Sequence, residues 1–98
     1  MGTRADFYIK KGEKLKQKDW VGSIGWDGFP RGIPTSIRKA KSEKEFREAV
    51  KKFAETRDDF THPSEGWPWP WNNSGITDYG YIFENGKVRH RSFDHNFS

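Results

Sequence analysis

Two stretches near the start of the chain alternate between apolar and polar residues, with the two-residue period of a half-buried β-strand. They are residues 5–10 and residues 20–26. The apolar positions that share one side are Ala5, Phe7 and Ile9 in the first stretch and Trp20, Ile24 and Trp26 in the second. Asp27-Gly28 follows as a turn signal. The pattern therefore predicts two strands.

One amphipathic helix is predicted over residues 42–60. Ser42 and Glu45 have the spacing of a capping box, in which each side chain accepts a hydrogen bond from the other residue's free backbone N–H. Apolar residues recur at helical spacing at Phe46, Ala49, Val50, Phe53 and Ala54, and Phe60 lies one heptad beyond Phe53. The helix must end before His62-Pro63, because the residue before a proline avoids the helical conformation.

A β-hairpin is predicted over residues 78–94, with strands at 78–84 and 87–93. Asn85-Gly86 lies between them, and this dipeptide favours a two-residue turn because both turn positions need positive φ. Such a turn pairs Glu84 with Lys87, Phe83 with Val88, and Tyr81 with His90. The pairing places residues of similar polarity opposite each other, which supports this register.

These elements predict an α+β fold of the order ββαββ. We expect a mainly antiparallel four-stranded sheet with one amphipathic helix packed on one face, because the helix needs an apolar surface to cover. With 98 residues, the chain is expected to form a single domain over 1–98, with a Trp-Pro loop at 63–77. Aromatic residues make up 16% of the chain, which is enough to build a small core.

Composition excludes several classes of protein. The chain has no cysteine, so disulfide scaffolds, iron–sulfur clusters, cysteine-ligated zinc and thiol nucleophiles are excluded. No apolar run approaches the ~20 residues of a membrane-spanning helix, and no secretory signal precedes the first strand. We therefore expect a cytoplasmic protein that binds no membrane and carries no cofactor.

Basic charge is concentrated in particular segments of the chain. The formal net charge is +4, and the excess in residues 10–18 comes from lysines, with Glu13 as the one acid among them. Such asymmetry attracts polyanions. Lys14, Lys16 and Lys18 are predicted binding residues, and the alternative interpretation is a charged surface that only keeps the protein in solution.

A Trp-Pro ribbon at residues 67–71 supplies three closely spaced indoles, on Trp67, Trp69 and Trp71. The prolines fix φ and remove backbone donors, which favours an extended, polyproline-like segment. Tryptophan is common at binding hot spots, so the ribbon is a candidate recognition surface. The alternative is a lid that closes the core of a small protein.

Aromatic and basic residues of the predicted strands form a second candidate surface. Rings that stack on bases beside cations that contact phosphate are typical of single-stranded nucleic-acid sites. The residues that could form it are Tyr8, Trp20, Trp26, Tyr79, Tyr81, Arg89 and Arg91. No signature of a known nucleic-acid-binding fold accompanies them, and the same rings are also the available core material.

Catalytic candidates are few. The residues able to transfer protons are His62, His90 and His95, with Asp58, Asp59 and Asp94 as acidic neighbours. Their spacing does not force them together, and no set of three or four metal ligands is visible, so no metal site is predicted. Gly22, Gly25 and Gly28 do not match a dinucleotide fingerprint, and they instead predict close approach of a ring or backbone to the strand.

The first third of the chain resembles a known group of proteins. The segments GTRADFY at residues 2–8 and WVGSIGWDG at residues 20–28 are similar to small uncharacterised proteins of bacteriophages and prophage regions. The resemblance implies an accessory protein that acts on host or phage macromolecules in the host cytoplasm. It transfers no functional residues.

The leading hypothesis is a non-enzymatic binding module. It would dock through basic loops and exposed aromatics on a host or phage protein, for instance as an inhibitor, or on nucleic acid. One alternative is a small hydrolase or nuclease that uses a histidine with an aspartate. Another is a pocket that sequesters a small anionic, nucleotide-like ligand. A monomer and a homodimer formed through an edge strand are both compatible with the sequence.

Overall fold

The computed structural model describes residues 3–14, 16–66 and 78–92. Four strands belong to one sheet, namely β1 (Ala5–Ile9), β2 (Trp20–Ile24), β3 (Tyr79–Glu84) and β4 (Lys87–Ser92). Two α-helices lie between β2 and β3, namely α1 (Thr35–Arg38) and α2 (Glu43–Glu55). Short 3-10 turns occupy Gln17–Asp19, Pro30–Gly32 and Pro63–Glu65. The protein is therefore α+β, as the sequence predicts.

The sheet is mixed, and in this respect the prediction of a mainly antiparallel sheet is wrong. The strand order is β2-β1-β3-β4, with β1 parallel to β3 and antiparallel to β2. Thr61 forms an antiparallel bridge with Ser23 on the outer side of β2. The chain that leaves α2 therefore occupies the outer edge of β2. Because that edge is taken, β3 joins the sheet on the side of β1 that faces away from β2.

The predicted ββαββ order also lacks an element. Helix α1 is absent from the predicted order, and it begins directly after Pro34, since proline is well tolerated at a helix start. Pro34 is the N-cap residue of α1, and its carbonyl accepts hydrogen bonds from the N–H groups of Ile37 and Arg38. Ile37 is fully buried, so this single turn contributes to the core.

The long helix starts where the sequence predicts and ends earlier. Ser42 is its N-cap, and its hydroxyl accepts the N–H of Glu45 at 3.1 Å. The helix ends at Glu55, not near Phe60, and the Thr56 hydroxyl then donates to the Phe53 carbonyl. Phe60 fits the helical period by coincidence, because its ring packs against β1 and β2 after the chain has left the helix.

The β3–β4 hairpin has the predicted register. Glu84 pairs with Lys87, Phe83 with Val88, and Tyr81 with His90. Asn85 and Gly86 adopt φ values of 51° and 77°, which are the positive angles that a two-residue turn of this type requires.

A bulge in β2 changes the predicted face of Trp20. Pairing with β1 runs from Ala5–Ile24 to Phe7–Gly22 and then shifts, so that Tyr8 pairs with Trp20. Neighbouring positions of a strand point to opposite faces. Trp20 therefore lies on the face of Tyr8, and the prediction that it shares a face with Ile24 is wrong.

Phe7 lies at the centre of the core between the sheet and α2. Its ring is fully buried and lies 5.7 Å from Tyr81, 6.2 Å from Phe60 and 6.3 Å from Phe53 between centroids. At the other end of the helix, Phe46 packs 5.8 Å from Phe83. The helix thus lies over β1 and β3, the two central strands.

Gly22 permits the closest of these contacts. A Cβ atom at this position would collide with the Phe60 ring. A Cβ at Gly28 would likewise meet Ala5 and the backbone of residues 3–4. The prediction that Gly22, Gly25 and Gly28 allow close approach is confirmed at Gly22 and Gly28, whereas a Cβ at Gly25 would make only ordinary contact with Asp59, at 3.7 Å.

We predict that Gly22→Ala destabilises the protein by about 1–3 kcal/mol, the usual cost of overpacking a core. The Phe60 ring would have to move away from Phe7 to admit the methyl group. Urea unfolding followed by circular dichroism measures the effect. Gly12→Ala is the matched control, because a Cβ there has no neighbour within 4 Å. Equal stability of the two variants would contradict the proposed close contact.

Candidate functional site

A cleft of about 400 Å³ opens where the ends of β1 and β2 meet the first half of α2. Its apolar lining consists of Ile9, Trp20, Val21 and Pro63. Its charged lining consists of Lys11, Lys18, Arg47 and Asp19. Basic side chains therefore surround an apolar floor, an arrangement suited to an anionic ligand that also has apolar surface.

Asp19 determines the shape of one wall. Its carboxylate accepts the backbone N–H of Lys16 at 3.0 Å, while its own N–H donates to the Lys16 carbonyl at 2.9 Å. Asp19 is buried and Lys18 is exposed. The reciprocal hydrogen bonds close the turn and leave the Lys18 side chain at the opening of the cleft.

Glu43 joins the opposite wall to the β1–β2 loop. Its carboxylate accepts from Lys11 Nζ at 2.6 Å and from Arg47 Nε at 3.0 Å. Hydrogen bonds from Lys11 and Arg47 lower the pKa of Glu43 below its usual value. Two of the cleft's cations are thus partly neutralised, whereas within the described part of the chain no carboxylate pairs with Lys18.

The predicted basic residues of the β1–β2 loop are available to a ligand. Lys14, Lys16 and Lys18 are all exposed, and Lys18 lines the cleft. Arg89, in contrast, forms an ion pair with Glu84 at 3.1 Å on the far side of the sheet. Of these lysines the structure therefore brings Lys18 to the cleft, and it leaves Arg89 away from it.

The predicted aromatic surface is divided between the two faces of the sheet. Tyr79 and Tyr81 face the helix, with ring centroids 6.5 Å apart, whereas Arg89 pairs with Ile82 on the opposite face. Tyr81 is fully buried, its hydroxyl donates to the Gly28 carbonyl at 2.6 Å, and burial raises its pKa. A ring in this position supports the core and cannot stack on a base.

Other predicted site residues lie outside the described part of the chain. These are the ribbon residues Trp67, Trp69 and Trp71 and the C-terminal residues Asp94 and His95. Arg91 belongs to β4, but its side chain is not described. The predictions for all of them stay predictions.

The two described histidines lie on opposite edges of the sheet. His62 follows the Thr61 bridge to β2, and its ring is 4.8 Å from Phe60. His90 is in β4, four interstrand steps of about 4.8 Å each from the segment that contains Thr61. A shared active site for this pair is excluded by that separation. Within residues 3–14, 16–66 and 78–92, no group of three acidic or histidine side chains could hold a metal ion.

The sequence does not predict an ion pair that holds Gly25 and Trp26, the two residues that follow β2. Asp59 accepts Arg57 Nε at 2.7 Å and the backbone N–H groups of Gly25 and Trp26 at 2.8 and 3.0 Å. Arg57 donates to the Trp26 carbonyl, and its guanidinium lies 5.6 Å from the Trp26 ring centroid. Trp26 itself is 49% exposed. The Asp58-Asp59 dipeptide was noted only as a possible partner for histidine, because the fold is needed to bring residues 57–59 to β2.

A second missed cluster lies on the face of the sheet opposite α2. Asp6 is fully buried, and its carboxylate accepts from the Ser23 hydroxyl at 2.5 Å and from the Tyr8 hydroxyl at 3.4 Å. Trp20 Nε1 donates to the same Ser23 oxygen at 2.8 Å. Because a buried carboxylate needs donors, this network fixes the pairing of β1 with β2. In the sequence, the one sign of this network is Asp6 inside a strand pattern, because aspartate is uncommon in strands.

Comparisons with protein-family models, with curated proteins and with solved structures find no match for this chain. Among the helices that the structure describes, none is long and apolar enough to cross a membrane.

The Asp59 ion pair predicts a pH-dependent contribution to stability. Burial acts to raise the pKa of Asp59, but the hydrogen bonds from Arg57 and from the two backbone N–H groups outweigh burial and lower it. A carboxyl whose folded pKa is below its unfolded value of about 3.9 stabilises the fold above that value. This contribution is lost as pH falls through the folded pKa.

We predict that Asp59→Asn lowers the free energy of unfolding by about 1–3 kcal/mol at pH ~7, because a buried charge-assisted hydrogen bond is lost. The difference from wild type should narrow at pH ~3, below the unfolded value of about 3.9, because the stabilisation that comes with a lowered folded pKa is lost progressively on acidification. Denaturant unfolding at both pH values measures it. Asp58→Asn, at the exposed neighbouring position, is the control and should change little. A pH-independent difference would contradict the charge-based explanation.

Proposed function

We propose that this protein is a non-enzymatic binding module that docks on an acidic segment of a partner protein through the cleft. The observation that carries the proposal is the combination of Lys11, Lys18 and Arg47 with an apolar floor. Carboxylates of the partner would pair with the cations, and the aliphatic parts of its side chains would cover the floor. Exposed Lys14 and Lys16 extend the positive surface beyond the cleft.

Two observations favour a protein partner over nucleic acid. Tyr8, Trp20 and Tyr81 are buried, so these sheet rings offer no stacking surface for bases. Among the described tryptophans Trp26 is the exposed one, and it lies beside segments of net negative charge, which disfavour phosphate. Segments 26–31 and 57–59 contain two arginines and three aspartates, a net charge of −1.

The resemblance of residues 2–8 and 20–28 to small phage proteins extends the proposal. On this basis the protein is an accessory protein of phage type, located in the host cytoplasm, and its partner is a host or phage protein. An inhibitor of an acidic host protein fits this description, because a small basic module can cover an acidic functional surface.

The same cleft also supports a second candidate function. Its volume of about 400 Å³ lies within the range of about 300–1,000 Å³ typical of small-molecule sites. A nucleotide-like anion could place its phosphate beside Lys18 and its ring on the apolar floor. Nucleotide binding that is much tighter than acidic-peptide binding would favour this candidate.

We predict that the triple variant Lys14→Glu, Lys16→Glu, Lys18→Glu weakens binding of a fluorescent glutamate-rich peptide at least about threefold. Each exposed ion pair contributes about 0.2–1 kcal/mol, and about 1.4 kcal/mol corresponds to a factor of ten. Fluorescence anisotropy measures binding, with a single-stranded DNA oligonucleotide and ADP as parallel probes.

The control is the triple variant Lys39→Glu, Lys41→Glu, Lys52→Glu, which changes net charge equally at exposed positions outside the cleft. It should retain most of the peptide affinity. Equal loss in the two variants would indicate non-specific charge attraction and contradict the proposal. Tight DNA binding that falls by about 0.9 log units per phosphate contact per tenfold salt would instead identify nucleic acid as the ligand.

A further inference from the structure

A small apolar pocket adjoins the cleft along α2. It has a volume of about 120 Å³, and its apolar lining includes Val50, Ala54 and Phe60. Val21 and Arg47 line both the pocket and the cleft, so the two form one groove. The groove is basic at the end near the start of α2 and apolar towards the end of the helix.

The pocket has the size of one side chain. An apolar cavity of about 150 Å³ is large enough for benzene, so about 120 Å³ suits a branched aliphatic group such as leucine. Lys51 and His62 lie at its rim, and no acidic residue lines it. We therefore expect a ligand to place an apolar group in the pocket and to contact basic side chains with the groups on either side of it.

The distance along α2 between the basic and apolar ends of the groove sets the distance required in a ligand between its carboxylates and its apolar group. Arg47 and Ala54 are seven residues apart on one face of α2, a distance of about 10 Å. An extended peptide covers that distance in about three residues. Strand addition to β2 is blocked at Ser23, whose N–H and C=O bond to Thr61 at 3.1 and 2.9 Å. The ligand must therefore be recognised there through its side chains.

We propose that the groove binds an extended acidic protein segment with a bulky aliphatic side chain about three residues from its carboxylates. The carboxylates contact Lys18 and Arg47 in the cleft, and the aliphatic group fills the pocket beside Val21 and Ala54. This inference rests on the proposed function and specifies the partner segment that the cleft selects. Charge complementarity at one end and a side-chain-sized apolar pocket at the other are the observations that carry it.

The test compares two synthetic peptides of equal charge. One has a glutamate run with leucine three residues away, and the other has serine in place of leucine. The leucine peptide should bind wild-type protein about tenfold more tightly, because burying a leucine side chain is favourable and only part of that gain is lost in ordering the peptide. Fluorescence anisotropy gives both affinities.

Ala54→Leu should remove this preference by filling the pocket, so that the two peptides bind the variant with equal affinity. The matched control is Ser36→Leu, which adds the same side chain at an exposed neutral position of α1. If Ala54→Leu fails to fold, Val21→Thr serves as a second variant, because it keeps the shape of the side chain and makes the wall polar. It should reduce the preference for leucine.

The outcomes separate this inference from the proposed function. Equal binding of both peptides, with both weakened by reversal of Lys14, Lys16 and Lys18, overturns the inference and leaves the proposed function intact. A preference for leucine that survives in Ala54→Leu and Val21→Thr also overturns it. If neither peptide binds, both proposals are overturned.

Discussion

The contact of Phe7 with three other rings is the interaction on which the arrangement of the elements depends. Phe53 comes from α2, Tyr81 from β3, and Phe60 from the chain that follows the helix. One buried ring on the central strand thus connects the helix, the sheet and the segment that closes the outer edge of β2. Phe60 can reach Phe7 only because Gly22 has no side chain. The path of residues 57–61 along β2 follows from this packing, and Asp59 and Thr61 then bind the β2 backbone.

The groove is a consequence of the same geometry. A helix about 10 Å wide covers about two strands spaced 4.8 Å apart. Phe53 and Phe46 direct α2 onto β1 and β3, through Phe7 and Phe83. The edge strand β2 is therefore left partly uncovered beside the helix, and Val21 becomes part of a groove wall. The apolar floor is thus surface that a single helix cannot cover.

Ion pairs within the fold partly neutralise some of the basic side chains and leave other described ones unpaired. Glu84 pairs with Lys10 and Arg89, and Glu43 pairs with Lys11 and Arg47, so these cations help to hold neighbouring elements together. Lys14, Lys16 and Lys18 have no such partner among the described residues. On β4, which is an edge strand, basic residues have another effect: they discourage pairing with the edge strand of a second molecule. The loop lysines are therefore the part of the net positive charge best suited to recognition.

Local sequence signals determined the elements whose hydrogen bonds are local. The capping serine at Ser42 and the Asn85-Gly86 turn were readable because cap and turn geometry depend on a few neighbouring residues. The tertiary structure alone decided that β3 lies parallel to β1 and that the helix ends at Glu55. It alone also brought Asp59 to Trp26 and Ser23 to Asp6. These contacts join residues far apart in the chain, and the period of a pattern carries no information about which distant edge or ring a residue will meet.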